Sequence, residues 1–206
     1  ALVRGTTDPA VLADLARGSL RTKLPALRQA LVGRFRASHA FLVGQMLARI
    51  DTRGHGQREL LFEPGRSLVG NAGVLLTEVL YLKPGAGKNF CIVDAAMNDL
   101  MRPAMYQAWM GIVACQLRSD TPVVFDVVGP VCESGDWLGR ERSLAVREGD
   151  FIAVLSAGAY GMVMASNYNT RGRAAEVMVS GDQAWLIRDR EQAADLFRGE
   201  HLLPPA

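Results

Sequence analysis

The sequence predicts an α+β protein in which a helical N-terminal segment precedes a mostly antiparallel β-barrel or sandwich. Apolar residues recur every three to four positions before residue 52, whereas short runs rich in Val, Ile, Leu and Tyr follow residue 58. The charge also changes sign, because residues 1–58 hold ten basic and three acidic residues while residues 59–206 hold thirteen and eighteen. We therefore divide the chain into a basic helical segment (1–51), a linker (52–58) and a β-rich domain (59–206).

The first segment is predicted to contain three helices. Asp8 can cap a first helix and Pro9 suits its first position, so that helix begins near residue 9. A second helix is predicted from Ser19 and a third after Ser38, each with apolar residues at helical spacing. The stretch 51–58 has two glycines and no apolar residue, which is typical of a linker.

The second part is predicted to be a set of short strands separated by Gly, Pro, Asn and Asp. The predicted strands cover 59–62, 74–83, 89–94, 109–116, 121–128, 151–155, 161–165, 175–179 and 183–188. Short helices are predicted at 97–106 and 190–198. Many short strands at this spacing favour a sandwich or barrel.

Composition excludes several classes of protein. About half of the 206 residues are hydrophobic, which argues against a disordered chain, and no apolar run reaches the roughly 18–20 residues that span a bilayer. The N-terminal residues lack the pattern of a secretory signal. Three scattered cysteines without CxxC spacing predict free thiols, no metal site and a cytoplasmic protein.

Four short clusters carry groups that can bind or react with a ligand. They are Glu63-Pro64-Gly65-Arg66, Arg102 to Tyr106, Cys132 to Asp136, and Gly158-Ala159-Tyr160-Gly161. Each cluster alone also fits a structural role: a turn with a surface ion pair, an exposed helix face, a buried thiol or a turn tyrosine. Together they predict a pocket for a zwitterionic ligand that bears a carboxylate, because guanidinium groups bind carboxylates and carboxylates bind amines.

The same clusters carry a resemblance to a known family. The stretches EPGRSLVGNAG (63–73), KNFCIVDAAMNDLMRPAMYQAW (88–109), VVGPVCESGDWL (127–138) and LSAGAYGMVMASNYNTRGRAAEV (155–177) resemble the C-terminal part of diaminopimelate decarboxylase. The resemblance implies the β domain of a fold-type III pyridoxal phosphate enzyme whose TIM barrel is largely missing here. It implies decarboxylation of meso-diaminopimelate to L-lysine, with pyridoxal phosphate as cofactor, in a homo-oligomer.

The resemblance also implies a role for each site residue. Glu63 would face the pyridine nitrogen of the cofactor, and Gly65 and Arg66 would border its phosphate and the substrate. Arg102 and Tyr106 would bind a substrate carboxylate, Glu133 the distal amino group, and Tyr160 both cofactor and substrate. Cys132 would donate a proton to the substrate carbon in the site of the partner chain.

Family enzymes join the cofactor to a lysine in a barrel motif. The lysines of this chain, Lys23, Lys83 and Lys88, do not lie in such a motif. We therefore expect a truncated decarboxylase that is inactive alone. The alternative is an interaction module that pairs with an intact decarboxylase and supplies Cys132 and Glu133.

Residues 8–51 resemble a helical segment of a DEDD-type insertion-sequence transposase. The simplest interpretation is a chimeric reading frame joined near residues 52–58. The basic residues of this segment have two interpretations. They form a solvent-exposed helix face, or they bind nucleic acid weakly.

Overall fold

The computed structural model describes residues 6, 8–14, 21, 25, 37–56 and 65–204. The chain divides into two compact units, residues 1–63 and residues 64–206. The predicted strand 59–62 and most of the helix predicted from Ser19 lie outside the described residues.

The described part of the first unit contains two helices, α1 (Pro9–Asp14) and α2 (Ala37–Thr52). The Ala10 N–H donates to Oδ1 of Asp8 at 2.8 Å, which confirms the predicted cap. Helix α2 ends where the Gly54 N–H donates to the Asp51 carbonyl oxygen at 3.0 Å, with a φ of +77° at Gly54. Across the described residues, no helix combines the length and apolar composition needed to cross a bilayer.

The second unit is mostly β-structure with three short α-helices. Its helices and strands, in chain order, are α3 (Gly65–Val69), β1 (Leu75–Lys83), β2 (Asn89–Val93), α4 (Met101–Tyr106), β3 (Ile112–Ala114), β4 (Val123–Val128), β5 (Trp137–Leu144), β6 (Phe151–Val154), β7 (Glu176–Ser180), β8 (Gln183–Arg188) and α5 (Ala193–Leu196).

Six strands form one curved sheet in the order β3-β6-β1-β2-β4-β5, and β7 and β8 form a separate hairpin. All pairs in the large sheet are antiparallel except β2 and β4, which run parallel. The two edge strands, β3 and β5, also approach each other, so the sheet is nearly a closed barrel. The predicted mostly antiparallel barrel or sandwich is confirmed.

The core lies inside this sheet. Val79, Cys91, Val93 and Val127 are fully buried on strands β1, β2 and β4, where alternate side chains point to the same face. Full burial of a side chain of this size contributes roughly 1.5–3 kcal/mol. Burial also raises the pKa of Cys91 to about 11, so this thiol stays neutral and acts as an apolar core residue.

Two predicted strands are wrong in part or in whole. Residues 161–165 were expected to be a strand, but Met162–Met164 form a single 3-10 turn closed by a Met164 N–H to Gly161 carbonyl hydrogen bond of 3.0 Å. The strand predicted at 109–116 is only Ile112–Ala114, and Trp109 and Met110 before it line a cavity.

The sequence interpretation also missed a whole strand. Strand β5 carries three charged side chains, Arg140, Glu141 and Arg142, and therefore resembles a polar loop. It nevertheless pairs with β4 at five of its residues, and the register is irregular near Glu141, whose φ is 55°.

The two predicted helices of this domain are shorter than expected. Residues 97–100 form turns before α4 begins, because the Asp99 carboxylate accepts the Ala96 N–H at 2.9 Å and holds a tight turn. Helix α5 covers only four residues of the predicted range 190–198.

Candidate functional site

A close backbone contact joins α3 to the segment after β6. The Ala157 N–H donates to the Gly73 carbonyl oxygen at 2.9 Å, and the Gly158 N–H donates to the Gly70 carbonyl oxygen at 3.0 Å. A Cβ atom at Gly158 would lie 2.1 Å from the Val69 carbonyl oxygen, so only glycine fits there. This contact fixes the Gly158-Ala159-Tyr160-Gly161 cluster against the end of α3.

An open cavity of about 380 Å³ lies at this junction. Its walls include Arg66 of α3, Arg102 of α4, and Trp109, Ser156 and Ala159 of the connecting segments. Two guanidinium groups therefore border one cavity, and neither forms an ion pair with another described residue. A cavity of this size suits a small anionic ligand.

Arg102 lies between two tyrosine rings. Its guanidinium carbon is 5.4 Å from the ring centroid of Tyr106 and 5.6 Å from that of Tyr160. Both distances are within the range of a cation–π contact. Because Arg102 and Tyr106 are four residues apart on α4, they share a face of the helix as predicted. The structure brings Arg66, Arg102, Tyr106 and Tyr160 to one place.

Helix α4 is held by polar groups just before it. Asn98 is fully buried, and its amide donates to the Ser166 carbonyl oxygen at 3.2 Å. The Asn98 side-chain oxygen accepts a hydrogen bond from Nε of Arg171 at 2.9 Å. Burial raises the pKa of Asp99, although Arg171, 3.6 Å away, favours its charged form. These contacts fix where α4 presents Arg102.

Cys132 and Glu133 lie on a separate exposed loop between β4 and β5. The Glu133 carboxylate accepts the Gly135 N–H at 3.2 Å and the Tyr168 hydroxyl at 3.3 Å. In the described part of the chain, no hydrogen bond or ion pair joins these two side chains to a residue of the cavity wall. The sequence interpretation grouped all four clusters into one pocket, whereas the described structure presents them at two places.

A buried carboxylate anchors this loop. Oδ1 of Asp136 accepts the Met97 N–H at 2.7 Å, and Oδ2 accepts the Val131 N–H at 2.8 Å. Burial raises the pKa of Asp136 despite these two donors. Gly129 must be glycine, because a Cβ there would lie 2.4 Å from Oδ2 of Asp136. Asp136 thus ties the loop that carries Cys132 to the turn that leads into α4.

Two other predicted site residues, Glu63 and Gly65, contribute no described side-chain contact to the site. Glu63 lies outside the described residues. Gly65 is the exposed first residue of α3, and a Cβ there would meet nothing within 4 Å, so the space beside it is open. Where the structure describes side chains, no three His, Cys, Asp or Glu groups lie together in a way that could hold a metal ion.

The structure adds residues that the sequence interpretation missed. Trp109 lines the cavity, and the Ser156 hydroxyl donates to Oδ1 of Asn71 at 2.8 Å in the same wall. Ser156 has a φ of 62°, which is rare for serine. Tyr168 contacts Glu133. The one sequence signal for Trp109, Ser156 and Tyr168 was their place inside the stretches that carry the family resemblance.

Comparison with known proteins identifies relatives of this chain. The chain is 57% identical over 172 residues to the diaminopimelate decarboxylase of Pseudomonas aeruginosa, covering 83% of this chain and 41% of that protein. It resembles the crystal structure of diaminopimelate decarboxylase from M. jannaschii, with a TM-score of 0.70, 40% identity, and coverage of 81% of this chain and 38% of that one.

A third relative is the Helicobacter pylori diaminopimelate decarboxylase complexed with L-lysine. The TM-score is 0.64 and the identity 32%, over 96% of this chain and 50% of that one. The chain thus spans half or less of the length of these three relatives.

The sequence pattern of one family matches most of the chain. Residues 10–158 match the family described as pyridoxal-dependent decarboxylase, C-terminal sheet domain. The match begins at residue 10 and so includes most of the segment compared above with a transposase; that comparison stays a prediction. Members of the family use pyridoxal phosphate as cofactor. The chain belongs to the pyridoxal-dependent decarboxylases, and it contains their C-terminal sheet domain.

Proposed function

We propose that these residues form the β-domain part of the active site of a diaminopimelate decarboxylase, which releases carbon dioxide from meso-diaminopimelate to give L-lysine. The observation that carries the proposal is the cavity bordered by Arg66 and Arg102, with Tyr106 and Tyr160 stacked on Arg102. Relatives with 54–57% identity carry the name of this enzyme, which supports the substrate assignment.

The cavity suits pyridoxal phosphate in charge and size. Arg66 is exposed on α3 without a carboxylate partner in the described structure and would bind the phosphate, with Gly65 beside it. Tyr160 would contact the cofactor ring from the other side. Glu63 would keep the ring nitrogen protonated, a role taken from the family resemblance. When bound, the cofactor would supply an electron sink for the pair that stays on the substrate carbon as carbon dioxide leaves.

The substrate would be held by its charged groups. Arg102, fixed between two aromatic rings, would bind a carboxylate together with the Tyr106 hydroxyl. Glu133 would bind the distal ammonium group, because an exposed carboxylate can accept N–H bonds in addition to those from Gly135 and Tyr168. The Cys132 thiol would give its proton to the carbon that has lost carbon dioxide.

Cys132 and Glu133 would act in a second chain. Both are exposed on a loop that, among described contacts, does not reach the cavity of its own chain. We therefore propose pairing with a second copy or with an intact decarboxylase chain. A cytoplasmic location is part of this proposal, because Cys91, Cys115 and Cys132 are all free thiols.

The amine that attaches the cofactor would come from elsewhere. Lys88 is committed to an ion pair with Asp126, with 2.8 Å between Nζ and Oδ2, and Lys83 ends strand β1. No lysine is among the described residues that line the cavity. Lys23 lies outside the described residues. We therefore expect that these 206 residues by themselves do not decarboxylate the substrate.

A complementation assay tests the proposal. The partner is the Pseudomonas aeruginosa relative with serine at the position that aligns with Cys132, and lysine production is measured after mixing with this chain. Copurification first establishes that the two proteins pair. We expect activity to rise at least tenfold over the partner alone, and the matched Cys132→Ser chain to pair without restoring it. Pairing without restored activity, or equal restoration by Cys132→Ser, would contradict the proposal.

A further inference from the structure

Arg142 does not line the cavity itself, but it contacts Trp109, which does. Its guanidinium carbon lies 4.6 Å from the ring centroid of Trp109. Trp109 lines the cavity beside Arg102, and 77% of the tryptophan surface is exposed. An indole this exposed has few contacts that fix its orientation, so the stacked guanidinium is a principal restraint on the ring.

The local backbone makes room for this contact. A Cβ atom at Gly139 would lie 2.6 Å from Nε of Arg142 and 2.7 Å from Cδ1 of Ile112. Because Gly139 has no side chain, the Arg142 side chain lies close against its backbone, next to Ile112 of β3. From this position its guanidinium lies over the Trp109 ring.

The charge of Arg142 has no carboxylate partner in the described part of the chain. Nε of Arg142 is buried without a hydrogen bond, and the side chain forms no ion pair there. Six other arginines of the domain pair with carboxylates: Arg118, Arg147, Arg171, Arg173, Arg188 and Arg198. Burial lowers the pKa of Arg142, yet a guanidinium remains protonated at neutral pH. An unsatisfied buried donor is unfavourable, so stability alone does not account for this side chain.

We propose that Arg142 is a positioning residue that holds the indole of Trp109 as a rigid wall of the ligand cavity. The fixed ring presents a flat apolar surface to a planar, anionic ligand whose charge is bound by Arg66 and Arg102. The guanidinium suits this task better than an ammonium, because its planar group stacks on an aromatic face. The inference shares one premise with the proposed function, namely that this cavity binds the ligand.

The test follows the Trp109 ring directly in a chain with one tryptophan. Trp137→Phe and Trp185→Phe remove the other two indoles, and fluorescence anisotropy then reports the mobility of Trp109. The ligand probe is deoxypyridoxine phosphate, which has no aldehyde and so cannot react with lysine. Arg142→Lys is compared with the matched variant Arg140→Lys, which changes an arginine on the same strand that does not contact Trp109.

Arg142→Lys is expected to lower the anisotropy and to weaken probe binding about two- to fivefold, the range of one exposed cation–π contact. Arg140→Lys is expected to change neither. Equal effects of the two variants, or no effect of Arg142→Lys, would overturn the inference. If the parent chain does not bind the probe, the proposed function is contradicted, while the anisotropy still decides the role of Arg142.

A second variant tests the inference even if Arg142→Lys does not fold. Trp109→Leu removes an exposed ring without disturbing the buried stem of Arg142, and its folding is checked by circular dichroism. It should weaken binding of the probe, followed by its own absorbance, at least as much as Arg142→Lys does. Unchanged affinity in Trp109→Leu would overturn the inference independently.

Discussion

At the scale of single residues, the two cavity arginines have different surroundings. Arg102 is partly buried and restrained by Tyr106 and Tyr160, whereas Arg66 is exposed on the short helix α3. Arg102 is thus oriented before any ligand arrives, while Arg66 can adjust to it. This difference suits Arg102 to geometric selection of a carboxylate and Arg66 to charge attraction of a phosphate.

Arg66→Met is therefore expected to weaken binding of deoxypyridoxine phosphate by about tenfold or more, because a hydrogen bond to a charged group contributes about 1.5–3 kcal/mol. The matched control is Arg147→Met, which removes an exposed arginine that pairs with Asp120. A fluorescence titration measures the affinity of each variant for the probe. Equal affinity of Arg66→Met and the unchanged chain would count against Arg66 as the phosphate ligand.

Local spacing was enough to predict some of these contacts. Arg102 and Tyr106 lie four residues apart, and the helix places them on one face as expected. Tyr160 reaches Arg102 only through the Gly73–Gly158 backbone contact, which no local pattern reveals. Trp109 was assigned to a strand because it lies in an apolar run, and its place in the cavity wall depends on how that run bends.

At the scale of structural elements, the loop between β4 and β5 depends on Asp136. Its carboxylate binds two N–H groups from different segments of the chain, at Met97 and Val131. The loop is thereby fixed even though Cys132 and Glu133 at its tip are exposed. A fixed loop suits the proposed entry of Cys132 and Glu133 into the site of another chain.

Asp136→Ala is expected to lower the free energy of unfolding by about 1–3 kcal/mol, because two partly buried N–H groups lose their acceptor. It should also speed hydrogen exchange of the Met97 and Val131 amides. Asp120→Ala, which removes a surface ion pair with Arg147, should cost less than about 1 kcal/mol. Chemical denaturation measures the free energy of unfolding of each variant. A similar decrease in Asp136→Ala and Asp120→Ala would refute the anchoring role of Asp136.

Strand assignments failed where tertiary contacts override local composition. Strand β5 has charged residues in its middle and was missed, yet it forms one edge of the nearly closed sheet, where Arg142 passes over Gly139. Strands β1, β2, β4, β6, β7 and β8 were predicted, because their runs of apolar and β-branched residues end at Gly, Pro, Asn or Asp. Parallel pairing of β2 with β4 cannot be inferred from either run alone.

At the scale of the whole molecule, a partly buried ion pair helps to join the segments after β3 and β5 to the start of β6. Asp150, directly before β6, accepts Nε of Arg118 at 2.8 Å and the Arg147 N–H at 2.8 Å. The Arg118 hydrogen bond lowers the pKa of Asp150 from its ordinary 3.8 to about 2, although burial opposes this shift. The ionised form is therefore favoured in the folded state.

The shift in the pKa of Asp150 makes a defined contribution to the pH dependence of stability. Because the pKa is lower in the folded chain, the contribution of Asp150 is complete above about pH 4 and is lost as the pH falls towards about 2. Asp150→Asn should be less stable than the unchanged chain at neutral pH, and the difference should shrink on acidification through that window. Denaturant unfolding at several pH values measures it. A difference that stays constant between neutral pH and about pH 2 would be inconsistent with the ion pair.

We propose that this chain supplies ligand-binding groups, whereas the lysine that attaches the cofactor covalently lies elsewhere. Borohydride reduction of the chain with pyridoxal phosphate fixes the cofactor to any lysine that binds it covalently, and mass mapping then locates the label. We predict scattered, substoichiometric labelling of Lys23, Lys83 and Lys88, with reversible binding that depends on Arg66. Stoichiometric labelling of one lysine would contradict the account, because the chain would then hold a cofactor-attaching amine of its own.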